Sequence, residues 1–277
     1  MKLDFKKSLF IYLSVLFSFS IFYLYIKHTV GNDSTISEWF INYTGGFTKR
    51  GIIGQISIFF SRLFDVGLRD FIFGFQVTTI FVYFLLTYSL LKNLRPNRIF
   101  LLAIFSPIFL LYPVAEIEVL ARKEVFIFII LITYILIPIY KKFEKDCFTL
   151  VFLFIGILIW EPLIFFMPFW FAIDLIQNKI EKVNFIFIKK IFIYLPSLLL
   201  AFYIAFNPIT ADQHQKMADI LQYEFNERCY MSCELLLHKA GLYQQFQAQF
   251  GKYSAEVLIR YFLIYLIGFG PLIILLR

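Results

Sequence analysis

The feature that most limits what this chain can become is its succession of apolar runs, broken only by brief charged connections. A helix needs roughly 20 apolar residues to cross a hydrocarbon layer of about 30 Å. Leu9–Ile26 is close to that length, and Lys2, Lys6 and Lys7 precede it. It lacks a small-residue cleavage site and further runs follow, so it reads as a retained first helix rather than a signal peptide. A water-soluble core is excluded by quantity: 60% of the 277 residues are hydrophobic, with 38 Phe and 17 Tyr. The mean hydropathy is +0.77. No soluble domain of this size hides so much apolar surface.

Later crossings are expected at Phe71–Leu91, Ile99–Tyr112, Val125–Tyr140, Phe148–Trp160, Leu163–Ile176, Ile191–Phe206 and Val257–Leu276. With the first they make about eight transmembrane helices in an all-α, polytopic membrane bundle. Residues 1–277 read as a single membrane domain. Three connections are densely positive: Lys92, Arg95 and Arg98; Lys141, Lys142 and Lys145; Lys179, Lys182, Lys189 and Lys190. Clustered cations stay on the cytoplasmic side, which also places both termini there, in a multi-pass protein expected in a cytoplasmic (inner) membrane. This works only if Gly51–Phe64 does not cross. Its glycines, Gln55 and Arg62 fit an outward interfacial or re-entrant helix after the first span.

Two outward segments follow from this topology: 27–70, carrying the interfacial helix, and 207–256, with helical patterns over Gln213–Phe225 and Glu234–Phe250. Most of the 19 carboxylates then face outward. The net charge of +7 reflects orientation in the membrane, and no aromatic-basic motif accompanies it, so nucleic acid is not an expected partner. Cys229 and Cys233 share the outward loop, where an oxidising compartment permits a bridge; helical i, i+4 spacing suits one poorly, so a bridge implies a local turn. Asn32-Asp33-Ser34 and Asn42-Tyr43-Thr44 match the glycosylation sequon. His28, His214 and His238 form no evident motif, and no metal site is assigned.

Charged residues near the outer boundary form three groups. "NYTGGFTKRG" joins Lys49 and Arg50 to a Gly45-Gly46 turn, with Glu38 just upstream. Glycines allow positive φ or close approach to a ligand, and cations with free amides at a helix start suit a phosphate; contact of the cations with lipid headgroups is the competing reading. "AEIEVLARKE" supplies Glu116, Glu118, Arg122, Lys123 and Glu124, in which a helical Glu118–Arg122 pair is one possibility and a wet, ligand-facing cavity another. "WEP" places Glu161 between two short runs, with Pro162 set to open a helix.

Outward carboxylates beside cations at a lipid boundary match glycosyl transfer from a polyprenyl-phosphate or polyprenyl-diphosphate sugar. The phosphate leaves as a stable anion, so the protein needs cations to hold it and one carboxylate to deprotonate the acceptor. Candidate catalytic residues are Glu38, Glu161 and Glu118; candidate phosphate-binding residues are Lys49, Arg50, Arg122 and Lys123. No cofactor is required, and a divalent metal has no support in the sequence.

"TGGFTKRGIIG", "ARKE" and "WEP" resemble motifs in membrane proteins of bacterial surface-polysaccharide clusters, and the arrangement over roughly residues 1–170 resembles the GT-C class of membrane glycosyltransferases. In that class the catalytic acid lies in the first outer loop, which implies Asp33 or Glu38 and makes Glu38 the expected general base, with Glu161 expected to orient the acceptor; the paired-acid signature of the mannosyltransferases is absent. Composition and the large loop before the last span are also similar to O-antigen and capsule repeat-unit polymerases. Either resemblance implies polyprenyl-linked sugar or oligosaccharide and membrane lipid as partners. A non-enzymatic glycan translocase or transport subunit is the alternative outside enzymes.

Overall fold

The computed structural model describes residues 5–30, 34–105, 120, 122–178, 185–230, 232–237, 254–260, 262–263 and 266. Its order is α1 Phe5–Val30, α2 Ser34–Phe40, α3 Gly51–Phe64, α4 Leu68–Leu91, α5 Arg98–Phe105, α6 Val125–Leu136, α7 Lys142–Ile159, a 3₁₀ segment Glu161–Phe166, α8 Met167–Gln177, α9 Phe185–Phe206, α10 Ala211–Phe225 and a second 3₁₀ segment Glu234–Leu237. Among the described residues there is no strand. By length and composition, α1, α4 and α9 can each cross a membrane. The expected run at 99–112 is helical over α5 and otherwise lies outside the described residues, as does most of 257–276.

The chain divides into two compact units, one of residues 1–92 and 121–237, the other of 93–120 and 238–277. In the second, α5 starts where Asn97 Oδ1 accepts from the Phe100 amide at 2.8 Å. The first unit holds the remaining elements.

Within the first unit α4 packs on α1 and α6, while α7 packs on α6 and α9. One core gathers Ile127, Ile130 and Tyr134 of α6 with Leu153 and Ile157 of α7, Trp170 of α8 and Tyr194 of α9. A second surrounds Trp39, fully buried, with Phe40, Ile53, Ile58, Ile72, Met217 and Leu221. The Trp39 ring meets Phe75 and Phe126 at centroid distances of 5.6 and 6.0 Å. In a bilayer such contacts matter through packing, because lipid tails are as apolar as the side chains they replace.

α3 carries the expected helix of 14 residues, and its two faces explain its place. The buried face is small: Gly51, Gly54, Ser57 and Ser61, with Ile53 and Ile58. The exposed face is large and apolar: Phe59, Leu63 and Phe64. Small residues let the backbone approach its neighbours, and bulky apolar residues suit lipid. At Gly54 a side chain would run into the backbone carbonyls of Ile41 and Trp39.

Past α9 the chain enters the polar cap. Thr210 and Gln213 form a capping box at the start of α10, and Asn226 in the left-handed region ends it. His214, Met217 and Leu221 make its buried stripe. Two ion pairs tie the cap down: Arg62 Nη2 to Glu224 Oε2 at 2.6 Å and Arg69 Nη2 to Glu227 Oε2 at 2.6 Å. Cys229 and Cys233 are bridged, with Cα atoms 5.1 Å apart, in non-helical chain as the local-turn argument requires. The helical pattern at 234–250 is a single 3₁₀ segment over Glu234–Leu237, and the rest lies outside the described residues.

Gly54 and Gly74 give opposite expectations. Nothing stands within 4 Å of a side chain added at Gly74 in mid-α4. Gly54→Leu should destabilise by about 2 kcal/mol or more through overpacking, whereas Gly74→Ala should be neutral or stabilise by up to ~1 kcal/mol through helix propensity. Thermal unfolding of the detergent-purified variants measures both.

Candidate functional site

Local sequence shapes the turn that delivers the site. Asn42 is fully buried and its side chain accepts from the Thr44 amide at 2.9 Å and from the Thr44 hydroxyl, while donating to the Phe40 carbonyl at 2.9 Å. This side-chain turn leaves its amide no freedom to act as a glycan acceptor. Gly46 has φ 144°, a conformation that suits glycine. A side chain on Gly45 would strike the Gln213 backbone in the first turn of α10, so what the glycines approach is the cap helix. Tyr43 donates its amide to Gln55 Oε1 of α3 at 3.0 Å.

The turn ends in Arg50, the residue preceding α3, whose φ of 61° and ψ of 13° lie in the left-handed region. For a residue with a Cβ this costs about 1–2 kcal/mol, and such strain persists only where the surroundings hold it. Two sets of contacts do so. From behind, Lys123 Nζ donates to the Arg50 carbonyl at 2.6 Å. In front, Arg50 Nε and Nη2 donate to Glu161 Oε2 and Oε1 at 2.7 and 3.0 Å, and Nη1 donates to Glu38 Oε1 at 2.9 Å. Lys49 Nζ lies 3.8 Å from Glu161 Oε1. Arg122 pairs with Glu124 Oε1 at 2.7 Å and lies 3.9 Å from Glu38 Oε2.

The three sequence groups therefore meet in one place. α2 supplies Glu38, the turn before α3 supplies Lys49 and Arg50, the segment entering α6 supplies Arg122, Lys123 and Glu124, and the break after α7 supplies Glu161. That break arises because Trp160 is extended and Pro162 follows, so Glu161 opens the 3₁₀ segment. Glu118 and Asp33 lie outside the described residues. Glu124 joins the cluster although "ARKE" gave no reason to prefer it; its Oε2 is buried without a hydrogen-bond partner among the described residues.

Comparison with protein-family models, curated proteins and solved structures returns no match. The functional argument rests on the chemistry of the cluster.

Exposure separates the residues by what they can do. The Glu38 side chain is 2% exposed and that of Glu161 21%. Lys49 and Arg122 are more open, at 42% and 38%. Lys123 is fully buried and aimed at a backbone carbonyl, so it positions Arg50 rather than facing solvent. Burial raises the Glu161 carboxyl, but the hydrogen bond and charge of Arg50, with help from Lys49, outweigh it and hold the group below the usual carboxylate value. Glu124 is pushed upward by burial and by Glu38, against the pull of Arg122. The arrangement places two partly open cations, Lys49 and Arg122, around a buried pair of carboxylates, with Glu161 the more exposed of the two and held ionised by Arg50.

A second network occupies the other end of α7, with Asp146 about 20 Å along the helix axis from Ile159. Lys190 Nζ bridges Asp146 Oδ1 at 2.5 Å and Asp174 Oδ2 at 3.0 Å, and Tyr134 donates to Asp174 Oδ1 at 2.9 Å. Lys189 pairs with Asp146 at 2.9 Å, and Lys145 lies 4.2 Å from the Tyr134 ring centroid. Its signal in the sequence was Asp174, a lone carboxylate in an apolar run. Every charge here has a partner, and the network joins α6, α7, α8 and α9. An apolar groove between α1 and α4, lined by Phe10, Leu13, Phe17, Phe81 and Leu85, carries no charged group.

Removing one partner from the Arg50 set strands the others. Arg50→Ala should destabilise the protein by about 3 kcal/mol because buried Glu38 loses its hydrogen-bonded cation and keeps only Arg122 at 3.9 Å; in a Glu38→Gln background the same change should cost less than half as much, a coupling that a double-mutant cycle in thermal unfolding measures. Lys123 gives a pH signature. Burial lowers its ammonium to about 8, in spite of Glu38 and Glu161. Between that value and its ordinary value of 10.5 the unfolded chain binds more protons than the native one, so stability from this group rises with pH through the window and is lowest below it. The unfolding midpoint of the native protein relative to Lys123→Met should accordingly increase from about pH 7 to about pH 10.

Proposed function

We propose that this chain is a membrane glycosyltransferase that uses polyprenyl-phosphate- or polyprenyl-diphosphate-linked sugars in bacterial surface-polysaccharide synthesis. The observation that carries the reading is the meeting of Lys49, Arg50 and Arg122 with Glu161 and Glu38 beside α3, whose exposed face is apolar. In the proposed topology both termini are cytoplasmic, about eight helices cross the cytoplasmic membrane, and the cluster and the α10 cap face outward. The three long apolar helices and the all-helical architecture support a membrane protein.

The chemistry follows from the geometry. Lys49 and Arg122 are exposed enough to meet the phosphate, which then competes with Glu161 for the Arg50 fork. Glu161, relieved of one ion pair, accepts the proton of an acceptor hydroxyl. The acceptor oxygen forms its bond to the anomeric carbon as the bond from that carbon to the phosphate oxygen breaks. The phosphate leaves as an anion neutralised by the cations. Glu38 keeps its hold on Arg50 throughout. Exposure thus ranks Glu161 ahead of Glu38 as base, with Glu38 in a positioning role.

The test compares variants at equal protein level in membranes, with lipid-linked glycan product as the readout. Glu161→Gln should lose about 10²-fold or more in turnover. Arg50→Lys should recover only part of what Arg50→Ala loses, because an ammonium cannot replace the two-point fork. Near-normal turnover in Glu161→Gln with an inactive, well-expressed Glu38→Gln would move the base to Glu38. Full activity in Arg50→Ala would leave these cations as headgroup anchors and remove the proposal.

A further inference from the structure

His214 of α10 faces the Cys229–Cys233 pair, and no part of the proposed glycosyl transfer uses these residues. His214 Nε2 lies 3.2 Å from Cys229 Sγ and 3.1 Å from the Cys233 carbonyl oxygen. The imidazole nitrogen and both sulfurs lie within 4.8 Å of one another. Cys233 is fully buried and His214 is buried, amid Ile209, Met217, Leu221 and Leu236, while Cys229 is half-buried.

We infer that the dithiol form of this cluster is a binding site for a thiophilic divalent cation of the zinc type, and that the disulfide and the metal-bound dithiol are alternative states of the cap. Three observations carry this. The donors are an imidazole and two sulfurs, the set that zinc selects, and the cysteine spacing falls within the Cys-x₂₋₄-Cys range of zinc sites. Tetrahedral bonds of about 2.3 Å to sulfur and about 2.0 Å to nitrogen put ligand atoms roughly 3.5–3.8 Å apart, a separation that the sulfurs reach by side-chain rotation once the bridge opens. Two thiolates cancel the charge of the dication, so the buried setting imposes little desolvation cost on the loaded site.

The bridge itself spans a sequence separation of only four residues, so it closes a short ring and does not tie the loop to α10. Within this cluster His214 is the member on α10, and it meets the loop at Cys229 Sγ and the Cys233 carbonyl. A metal held by all three would make that link coordinate.

The interconversion balances with an external dithiol. Reduction breaks the Cys229–Cys233 bond, leaves two thiols, and oxidises the reductant to its own disulfide. Binding of the dication then displaces two protons from the thiols, while neutral His214 gives a nitrogen lone pair and water can complete four-coordination.

The experiment uses the full chain in detergent with Cys147→Ser, which removes the remaining cysteine, exposed and unbridged. After reduction and removal of reductant under anaerobic conditions, zinc is added and bound metal is counted by elemental analysis after dialysis. Cobalt serves as the optical probe for thiolate charge-transfer bands. The expected result is one zinc per chain in the reduced protein and none in the oxidised protein. His214→Ala should weaken binding by at least about 10-fold, and zinc should protect both cysteines of the reduced protein from alkylation. The alkylation arm needs no substitution at the site, so a poorly folding His214→Ala does not leave the question open. A disulfide that resists reduction in the folded protein, zinc below half an equivalent in the reduced protein, or both cysteines alkylated at the same rate with and without zinc would overturn the assignment.

Discussion

Arg50 holds its charge between two carboxylates from distant parts of the chain, and the strained turn that carries it is maintained by what it touches at both ends. The guanidinium draws α2 and the break after α7 together through Glu38 and Glu161. The carbonyl of the same residue accepts the buried ammonium of Lys123, which brings in the segment entering α6. A left-handed backbone at an arginine would relax elsewhere without these contacts. The contacts in turn require that backbone, because an ordinary helical φ would carry the side chain and the carbonyl in other directions.

Burial explains why the cluster is so fully paired. An ionised group with low-dielectric surroundings is costly unless a partner of opposite sign lies within reach, so cations and carboxylates accumulate together. The same rule operates at the far end of α7, where Lys190 sits between Asp146 and Asp174. The two ends differ in openness. At the far end Lys190 and Asp174 are buried, which suits a clasp among helices. At the Arg50 end Lys49 remains accessible beside Glu161, and Arg122 beside Glu38 and Glu124.

The cap takes part in shaping the Arg50 turn. Gly45 and Gly46 press on Gln213, and the capping box at Thr210 sets the first turn of α10 that they meet. Arg62 and Arg69 hold the other end of that helix through Glu224 and Glu227. Among the described residues, segment 207–237 thus reaches the Arg50 turn through Gln213 and gives the charged cluster no ion pair, and His214 and the two cysteines lie on the buried side of the same helix.

The apolar runs, the cations between them and the three charged groups at 38–50, 116–124 and 161 are legible in the sequence because each depends on local chemistry: length against a bilayer, or charge against an apolar flank. The glycines, Gln55 and Arg62 of 51–64 likewise mark a helix apart from the long apolar runs, while the small buried face of that helix is seen only in the structure. Distances across the chain are not written in any window of residues. The tertiary structure decided that Arg50 meets Glu161, that Arg122 turns to Glu124, that Lys123 serves a carbonyl instead of facing solvent, and that Asp174 finds Lys190. It also made a cluster of His214, Cys229 and Cys233, which have no common motif in the linear order. Ion pairing depends on a few ångströms between side chains that helix packing brings together, and packing is a property of the whole fold.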